Sequence, residues 1–319
     1  MALPSFYYNS NTSLGVASDL AKEIVQLKTQ KIEGLILDLR NNSGGSLKEA
    51  IDIAGMFIDQ GPLLFDTSVY YPKPSVIKDL NRGYVFDKPV VLLVNGNSAS
   101  ASEILAIILK AYNKALIVGG NTFGKATGQN TFPFNNGGVK LTNSQFAALD
   151  GTTYQKYGVI PDVPIPDIFN SIYDYEHDEA FALPPVSLSK KIEIKKEKEI
   201  PIELLLRNSK DRVKSDSIFQ KIVAKENEIK LFLDEERKMP LNLPDFKEYR
   251  KKFTDLISKG YVVKNDEYFN LLPNSNISFM MEIDDGFQLK VKNQISSIYS
   301  DPQIKETLNI LIDYLNYIN

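Results

Sequence analysis

The sequence predicts an α/β fold, with a mostly parallel βαβ sheet core followed by a largely helical C-terminal region. Three short runs are almost entirely apolar, which is typical of strands covered on both faces: GLILDL (34–39), PVVLLV (89–94) and ALIVG (115–119). Stretches between them repeat apolar residues at helical spacing. Strands that alternate with helices favour a parallel sheet with right-handed crossovers.

The first predicted helix follows the loop NNSGG (41–45). Apolar residues recur on one side of it at a spacing of about 3.6 residues, and they are Leu47, Ala50, Ile51, Ala54, Phe57 and Ile58. The second helix is predicted in ASEILAIILKAYN (101–113), between the second and third strands. Both helices are therefore expected to pack on one sheet.

The second half of the chain carries more charge and is predicted to be helical. Amphipathic helices are predicted over 215–238 and 243–260. A last helix has Asp301 at its N-cap and Pro302 at its first position. The apolar face expected for this last helix consists of Ile304, Leu308, Leu311, Ile312 and Leu315.

A proline cluster (160–169) and a lysine-rich run (189–203) mark the transition between the two halves. We expect a core over residues 1–170, a linker over 171–203 and a helical C-terminal domain over 204–319. The lysine-rich run is interpreted as a solvated linker or an edge strand rather than as a binding patch.

Composition excludes several kinds of site. The chain has no cysteine and one histidine, which rules out a cysteine nucleophile and a Cys/His zinc cluster. A Ser-His-Asp triad would have to use His177, which lies in the polar, acidic segment YDYEHDE. The net charge of −3 indicates no basic surface for nucleic acid, and no apolar run reaches the ~18 residues of a membrane span. We expect neither a metal nor another cofactor.

Three alternating serines mark the start of the second helix, and they are Ser98, Ser100 and Ser102. Ser100 and Glu103 have the S-x-x-E spacing of a capping box, in which both side chains satisfy backbone donors at a helix start. The alternative is a nucleophilic serine, since α/β sheets place their sites at this edge. Such a serine needs a base, and Lys125 is the candidate because TFGKATGQ (122–129) contains no other charge. The residues alone leave both interpretations open.

Five motifs, in this order, resemble those of the C-terminal processing peptidases, also called tail-specific proteases. They are LILDLRNNSGGSLKEAIDIAGMFI, VVLLVNGNSASASEILA, LIVGGNTFGKATGQ, GGVKLT and YGVIPDV. The C-terminal half, ending in DPQIKETLNILIDYL, is similar more weakly to the larger tail-specific protease branch. The resemblance implies a sheet core of the ClpP/crotonase-like type.

The resemblance also implies a serine endopeptidase that works through a Ser/Lys dyad and an acyl-enzyme. The middle serine of SASAS, Ser100, corresponds to the nucleophile and Lys125 to the base. Gln129 corresponds to the glutamine found four residues beyond that lysine. On this interpretation Ser98 and Ser102 shape the turn, and the nucleophile is the serine between them.

The oxyanion donors implied by the resemblance are backbone N–H groups of Ala101 and of the Gly44–Gly45 pair. One motif departs from the family pattern, since the usual GKGTVQ is GKATGQ here. Ala126 therefore replaces a glycine, and Gly128 replaces a bulkier residue. Alanine at position 126 should cost little unless the backbone there needs a positive φ.

The resemblance implies protein or peptide substrates with nonpolar C-termini, and an adaptor is a further candidate partner. Family members carry a PDZ domain that engages such tails, and residues 1–170 hold no counterpart, so we expect an N-terminally truncated core. The opening MALPSFYYNSNTSLG lacks the pattern of a signal peptide. The location expected from the resemblance is a bacterial periplasm or cell envelope.

Two other functions are compatible with the pattern. A crotonase-like acyl-CoA enzyme would also use backbone N–H groups after strands to bind an oxyanion, but it gives Ser100 and Lys125 no role. A non-proteolytic binding protein on the same fold would need no nucleophile. A serine-directed probe distinguishes both from a peptidase, because only an activated serine reacts.

Overall fold

The computed structural model describes residues 1–68, 70, 73–235, 239–258, 269–273 and 275–319. Its helices are α1 (Val16–Thr29), α2 (Leu47–Ala54), α3 (Ala101–Ala111), α4 (Ile202–Ser215), α5 (Ser217–Glu235), α6 (Leu243–Ser258), α7 (Ser275–Ile283), α8 (Asp285–Tyr299) and α9 (Pro302–Ile318). Its strands are β1 (Tyr8–Asn9), β2 (Leu14–Gly15), β3 (Leu35–Asp38), β4 (Gly61–Asp66), β5 (Ser75–Asp79), β6 (Val90–Val94), β7 (Ala115–Gly119), β8 (Thr127–Phe134), β9 (Gly137–Ala147) and β10 (Val163–Pro164). Among the described residues, no helix has both the length and the apolar character needed to cross a membrane.

The centre of the fold is a four-stranded parallel sheet in the order β10-β7-β6-β3. The three apolar runs form β3, β6 and β7, which confirms the predicted parallel α/β core. Every residue of β6 and β7 is buried, as expected for strands with a layer on each face. The register pairs Leu92 with both Leu37 and Ile117. The carboxyl ends of these three strands therefore lie at one edge.

A second, antiparallel sheet has the order β5-β4-β9-β8 and was not among the predicted elements. Its longest pair, β8 and β9, forms a ribbon that is mostly exposed. The outer ribbon carries alternating apolar residues, Phe132 and Phe134 on β8 and Val139 and Leu141 on β9, but all four are at least 40% exposed. It contains no continuous apolar run of the kind that identified the parallel strands. The ribbon begins at Thr127, directly after residues 122–126, which carry Lys125 and are called the lysine segment below. Strand β8 therefore lies next to the candidate site.

Helices cover both faces of the parallel sheet. On one face, α1, α2 and α3 share a core cluster with Leu92, in which Ile53 is fully buried. On the other face, α4, α5 and α9 share a second cluster with Val91, in which Leu205 and Ile310 are fully buried. Val91 and Leu92 point to opposite faces because side chains alternate along a strand. The C-terminal helices thus confirm the predicted helical region and complete the core of the sheet.

The lysine-rich run (189–203) packs on the side of the sheet that α1, α2 and α3 cover. The N–H of Ile192 donates to the carbonyl of Leu149 at 2.8 Å, and that of Glu197 donates to the carbonyl of Tyr112 at 2.9 Å. The side chain of Ile192 also packs against the first core cluster. The division of the chain at residues 170 and 203 stays a prediction.

Some helix ends differ from the predicted ones. Helix α2 stops at Ala54, whereas the predicted stripe continued to Phe57 and Ile58. Both of these residues are fully buried in the turn after the helix, so their apolar character reflects burial and not helical spacing. The last residues of two other predicted helices, 236–238 and 259–260, lie outside the described residues.

Helix α9 begins as predicted, but a different face of it is buried. The carboxylate of Asp301 accepts the N–H groups of Gln303 and Ile304 at 2.9 and 3.0 Å, and Pro302 is the first helical residue. The buried stripe consists of Pro302, Gln303, Glu306, Thr307, Ile310, Leu311 and Tyr314. Ile312, which was predicted to face the core, is 41% exposed.

The buried face of α9 differs from the predicted face because it includes the charged side chain of Glu306. The Glu306 carboxylate is paired with the Arg212 guanidinium of α4 at 2.9 Å, which allows it to be buried. An apolar pattern counts Glu306 as a surface residue. Apolar periodicity therefore could not predict the ion pair between α4 and α9.

Truncation of Ile310 tests how strongly α9 stabilises the sheet. Ile310→Ala should lower the free energy of unfolding by about 2–5 kcal/mol, because the site is fully buried and the cavity cannot collapse completely. The matched control on the same helix, Ile312→Ala, should cost less than about 1 kcal/mol. Urea denaturation measures both, with an unchanged m-value. Equal losses for the two variants would contradict this packing.

Candidate active site

The predicted catalytic residues surround one cavity at the carboxyl edge of the parallel sheet. The loop after β3 contributes Gly45, and the turn after β6 contributes Ser100 and Ala101. The segment from β7 into β8 contributes Lys125 and Gln129. All five line a cavity of about 580 Å³. They meet because adjacent parallel strands end at the same edge.

The three alternating serines have different surroundings. The Ser98 hydroxyl donates to the carbonyl of Leu39 at 2.8 Å, and the Ser102 hydroxyl donates to the carbonyl of Asn42 at 2.7 Å. Both side chains are fully buried and tie the turn after β6 to the loop after β3. Of the three serines, Ser100 is the one that lines the cavity. The burial pattern therefore singles out Ser100 as the accessible hydroxyl.

The backbone at Ser100 is strained. Its φ of 56° and ψ of −111° lie outside the regions that non-glycine residues commonly adopt, at a cost on the order of 1–3 kcal/mol. Gly44 packs directly against it, since a Cβ added at Gly44 would lie 2.9 Å from the Ser100 Cβ. Only glycine therefore fits there, and Gly44 also has a φ of 102°. Strain of this kind is typical of functional sites.

The backbone N–H groups of Gly45 and Ala101 lie at the cavity, and neither has an acceptor in the part of the chain that the structure describes. Ala101 is the first residue of α3, where the N-terminal amides favour negative charge. Gly44 differs from the prediction, because its N–H already donates to Asn42 Oδ1 at 2.9 Å. Of the two glycines, Gly45 therefore has the free N–H and Gly44 allows the close approach to Ser100, while their oxyanion role stays a prediction.

The candidate base is oriented by its predicted partner. Lys125 Nζ donates to Gln129 Oε1 at 3.0 Å, and Gln129 Nε2 donates to Thr142 Oγ1 at 3.3 Å. A bulge between Gly128 and Gln129 turns this part of β8 toward the site. Between Ser100 and Lys125, both within the described residues, there is no direct hydrogen bond. Catalytic hydrogen bonds often form only when substrate binds.

A buried carboxylate connects the serine turn to the lysine segment. Glu103 Oε2 accepts the N–H of Ser100 at 2.8 Å and that of Lys125 at 2.9 Å. Glu103 Oε1 accepts the N–H of Gly124 at 2.7 Å and the hydroxyl of Thr122 at 2.5 Å. The capping interpretation therefore holds for the Glu103 carboxylate, which accepts the Ser100 N–H. The same carboxylate also fixes the backbone on which the candidate base is carried.

Burial raises the pKa of Glu103 to about 7, while the hydrogen bonds from Thr122 and from the N–H groups of Gly124, Ser100 and Lys125 act in the opposite direction. The S-x-x-E spacing identified the contact of this glutamate with its own helix start. Its contact with a segment some twenty residues further along depends on tertiary packing, and no sequence signal indicated it.

The two departures from the family motif fit the structure. Ala126 is fully buried and is not among the residues with positive φ, so the alanine causes no strain. Gly128 lies against β9, since an added Cβ would come within 2.3 Å of Ser144 Oγ. A bulkier residue at position 128 would require Ser144 to move. The two changed residues are therefore accommodated without a strained backbone at position 126.

His177 lies away from the cavity. Its ring stacks on that of Tyr175 with centroids 5.4 Å apart, and its Nδ1 is 3.1 Å from the carbonyl of Lys156. More than half of its side-chain surface is exposed. The one histidine of the chain is therefore not placed to act as the base of a serine triad.

A strained, accessible serine that shares a cavity with a lysine and two free N–H groups is suited to acyl transfer. Comparison with known proteins agrees with this class of site. Residues 1–165 match peptidase family S41, and the chain belongs to that family. The predicted relationship to the C-terminal processing peptidases is thereby confirmed.

Several relatives are similar over about half of this chain. The tail-specific protease of Haemophilus influenzae is 34% identical over 178 residues, which cover 53% of this chain and 25% of the relative. The carboxy-terminal-processing protease of Bartonella bacilliformis is 36% identical over 155 residues, which cover 47% of this chain and 35% of the relative. The chain thus spans between a quarter and about a third of these relatives.

Among solved structures, the photosystem II D1 C-terminal processing protease is 33% identical to this chain. The alignment has a TM-score of 0.45 and covers 51% of this chain and 41% of the other.

Proposed function

We propose that this chain is a serine endopeptidase that cleaves protein substrates through an acyl-enzyme on Ser100. One observation carries the proposal, namely that the strained Ser100 shares a cavity with Lys125 and with the free N–H groups of Gly45 and Ala101. A nucleophile, a base and oxyanion donors are the parts that acyl transfer requires. Membership of family S41 supports the same reaction class.

The reaction begins when the neutral amine of Lys125 accepts the proton of Ser100 Oγ, which attacks the carbonyl carbon of the scissile peptide bond. The carbonyl oxygen gains negative charge and accepts hydrogen bonds from the N–H groups of Gly45 and Ala101. The tetrahedral intermediate then expels the amine, which receives its proton from Lys125 Nζ. An ester remains on Ser100. Water attacks this ester and gives a proton to Lys125 Nζ, which passes it to Ser100 Oγ as the ester bond breaks and the carboxylic acid is released.

Gln129 has a positioning role in this mechanism. Its Oε1 engages one N–H of the Lys125 amine at 3.0 Å, and its Nε2 is anchored on Thr142. A carbonyl oxygen can only accept, so it binds a hydrogen of the amine and leaves the nitrogen lone pair for Ser100. The glutamine thereby favours the orientation that proton transfer needs.

The substrates proposed are proteins with nonpolar C-termini, in a bacterial periplasm or cell envelope. The names of the relatives describe carboxy-terminal processing and tail-specific proteolysis, which supports protein substrates handled from that end. The crotonase-like and binding alternatives give no role to a strained serine that shares a cavity with a lysine. No separate observation favours either of them.

Two unfolded substrates that differ only in their last three residues test this proposal. A nonpolar tail should give a kcat/KM at least about tenfold above that of an acidic tail, equivalent to about 1.4 kcal/mol of transition-state binding. Ser100→Ala, assayed with both substrates, controls for contaminating proteases.

Equal cleavage of the two substrates would overturn the tail preference alone. If neither substrate were cleaved and no serine reacted with a phosphonylating probe, the peptidase proposal would be overturned in favour of the binding and crotonase-like alternatives.

A further inference from the structure

A buried glutamine that the mechanism does not yet use lies behind the lysine segment. Gln155 is fully buried. Its Oε1 accepts the N–H of Ala126 at 2.8 Å. Its Nε2 donates to Glu176 Oε1 at 2.7 Å and to the carbonyl of Leu183 at 3.2 Å. One side chain therefore joins the lysine segment to a distant part of the chain, residues 176–183.

Three consecutive N–H groups around the candidate base are bound by buried side chains. Those of Gly124 and Lys125 donate to Glu103, and that of Ala126 donates to Gln155. The two acceptors come from different elements and bind the backbone on either side of the lysine. Lys125 thus extends from a peptide segment whose position is fixed at both ends.

Residues 176–183 make a second contact with the same segment. The N–H of Glu176 donates to the carbonyl of Phe123 at 3.0 Å, while its side chain accepts from Gln155. The lysine segment is therefore hydrogen-bonded by Glu103 of α3 and also by Gln155 and Glu176, which lie later in the chain. A displacement of Glu176 would be transmitted to both ends of this short segment.

We propose that Gln155 is a positioning residue for the base of the dyad, and that Glu176 acts on the base through it. This inference rests on the proposed function of Lys125. Gln155 does not touch substrate or the reacting atoms. It sets where the lysine backbone lies, and a displacement of about 1 Å at a catalytic group can cost about 10²-fold in rate.

The chemistry at position 155 requires a carboxamide. Ala126 presents a donor, whereas Glu176 and Leu183 present acceptors, so the side chain must accept on one atom and donate on the other. A glutamate at this position would still accept from Ala126 but would face the Glu176 carboxylate without a donor. Exchanging the two residue types would therefore make residue 176 the donor and residue 155 the acceptor of the hydrogen bond between them.

Four variants test the inference, assayed on an unfolded protein substrate that the unmodified chain cleaves. Gln155→Glu should lower kcat by about 10²-fold and leave KM within about twofold, because the base is displaced while the substrate site is intact. Adding Glu176→Gln to that variant should recover at least about tenfold, since the donor and acceptor are then exchanged. Glu176→Ala, at a half-buried site, should lower kcat by several-fold without threatening the core.

Gln145→Glu is the matched control. Gln145 is also buried, and its carboxamide also anchors a neighbouring stretch, accepting from the N–H of Val186 and donating to the carbonyl of Pro184. Its side chain has no bond to the lysine segment. Gln145→Glu should therefore reduce the melting temperature in the same way as Gln155→Glu while keeping kcat within about threefold.

The outcomes separate the inference from the proposed function. If Ser100→Ala keeps its activity, the dyad itself is wrong. If Ser100→Ala is inactive but Gln155→Glu and Gln145→Glu lose the same amount of kcat, or if the double variant shows no recovery, Gln155 is only structural. Should Gln155→Glu fail to fold, an unchanged kcat in Glu176→Ala would likewise overturn the inference.

Discussion

Ser100→Ala and Lys125→Ala are each expected to lower kcat by about 10⁴-fold or more, and the double variant should lose no more than either single one. The losses are not additive because the serine cannot attack without a base and the lysine has no proton to accept without the serine. Steady-state cleavage of an unfolded protein measures all three variants. Their melting temperatures should stay close to that of the parent, since neither side chain belongs to a core cluster.

Two control variants make this prediction specific. Ser102→Ala removes a fully buried hydroxyl two residues after Ser100. It should lower the free energy of unfolding by about 1 kcal/mol and leave most of the activity. His177→Ala should have no effect on activity, because this ring lies outside the cavity. A large loss in the histidine variant, or substantial activity in Lys125→Ala, would sink the dyad.

Glu103→Gln is expected to lower kcat by about 10²-fold or more. The carboxylate accepts four donors from Ser100, Thr122, Gly124 and Lys125. A carboxamide would turn an NH₂ group toward two of these donors, at a cost of about 1–3 kcal/mol for each group left unsatisfied. The serine turn and the lysine segment would then move apart.

Glu49→Gln is the matched control for the variant at Glu103. Glu49 is also buried and accepts the N–H of Ala17 at 2.7 Å, but it lies on α2 and not at the site. This variant should lose stability and keep its activity. If Glu103→Gln retained activity to the same degree, Glu103 would be a helix cap and nothing more.

The pH dependence of Glu103 gives opposite signs for stability and activity. Burial raises the pKa of Glu103 from 4.5 to about 7, so the folded state binds its proton more tightly than the unfolded state does. The contribution of Glu103 to the free energy of unfolding is therefore fully present below pH 4.5 and is lost as pH rises through 7. The total loss in the free energy of unfolding is about 3 kcal/mol. Activity should rise over the same range, because the ionised carboxylate accepts all four donors.

Denaturation and cleavage measured between pH 4 and 9 test this pair of trends. Glu103→Gln should flatten the fall in stability, whereas Glu49→Gln should retain it. A parent protein whose stability increases from pH 5 to pH 8 at this site, or whose activity falls, would contradict the assignment.

The sequence predicted the part of the fold that depends on local pattern. Three buried strands were recognisable because continuous apolar runs are typical of parallel strands, and the start of α9 was recognisable because Asp301 and Pro302 have clear positional preferences. The buried face of α9 was not, since Glu306 is buried by an ion pair. The antiparallel sheet was also missed, because its exposed ribbon has alternating apolar residues and no continuous apolar run.

The candidate site divides in the same way. Ser100 and Lys125 were identified by residue type, setting and motif, and the structure brings both to one cavity. The buried groups that fix their backbones, Glu103 and Gln155, act through contacts between segments distant in sequence. The Gly44 N–H is already bonded to the Asn42 side chain, which the paired glycines of the motif did not indicate. Such contacts follow from packing, and residue spacing does not encode them.

Covalent labelling of Ser100 is the most direct test of the central claim that this hydroxyl is an activated nucleophile. A fluorophosphonate is added to the native protein, intact mass reports the adduct as fluoride is displaced, and peptide mapping locates it. We expect one adduct, on Ser100, formed at least about 10³-fold faster than in Lys125→Ala. Protein that is denatured before the probe is added should not be labelled. No adduct, an adduct on another serine, or an equal labelling rate in Lys125→Ala would contradict the account.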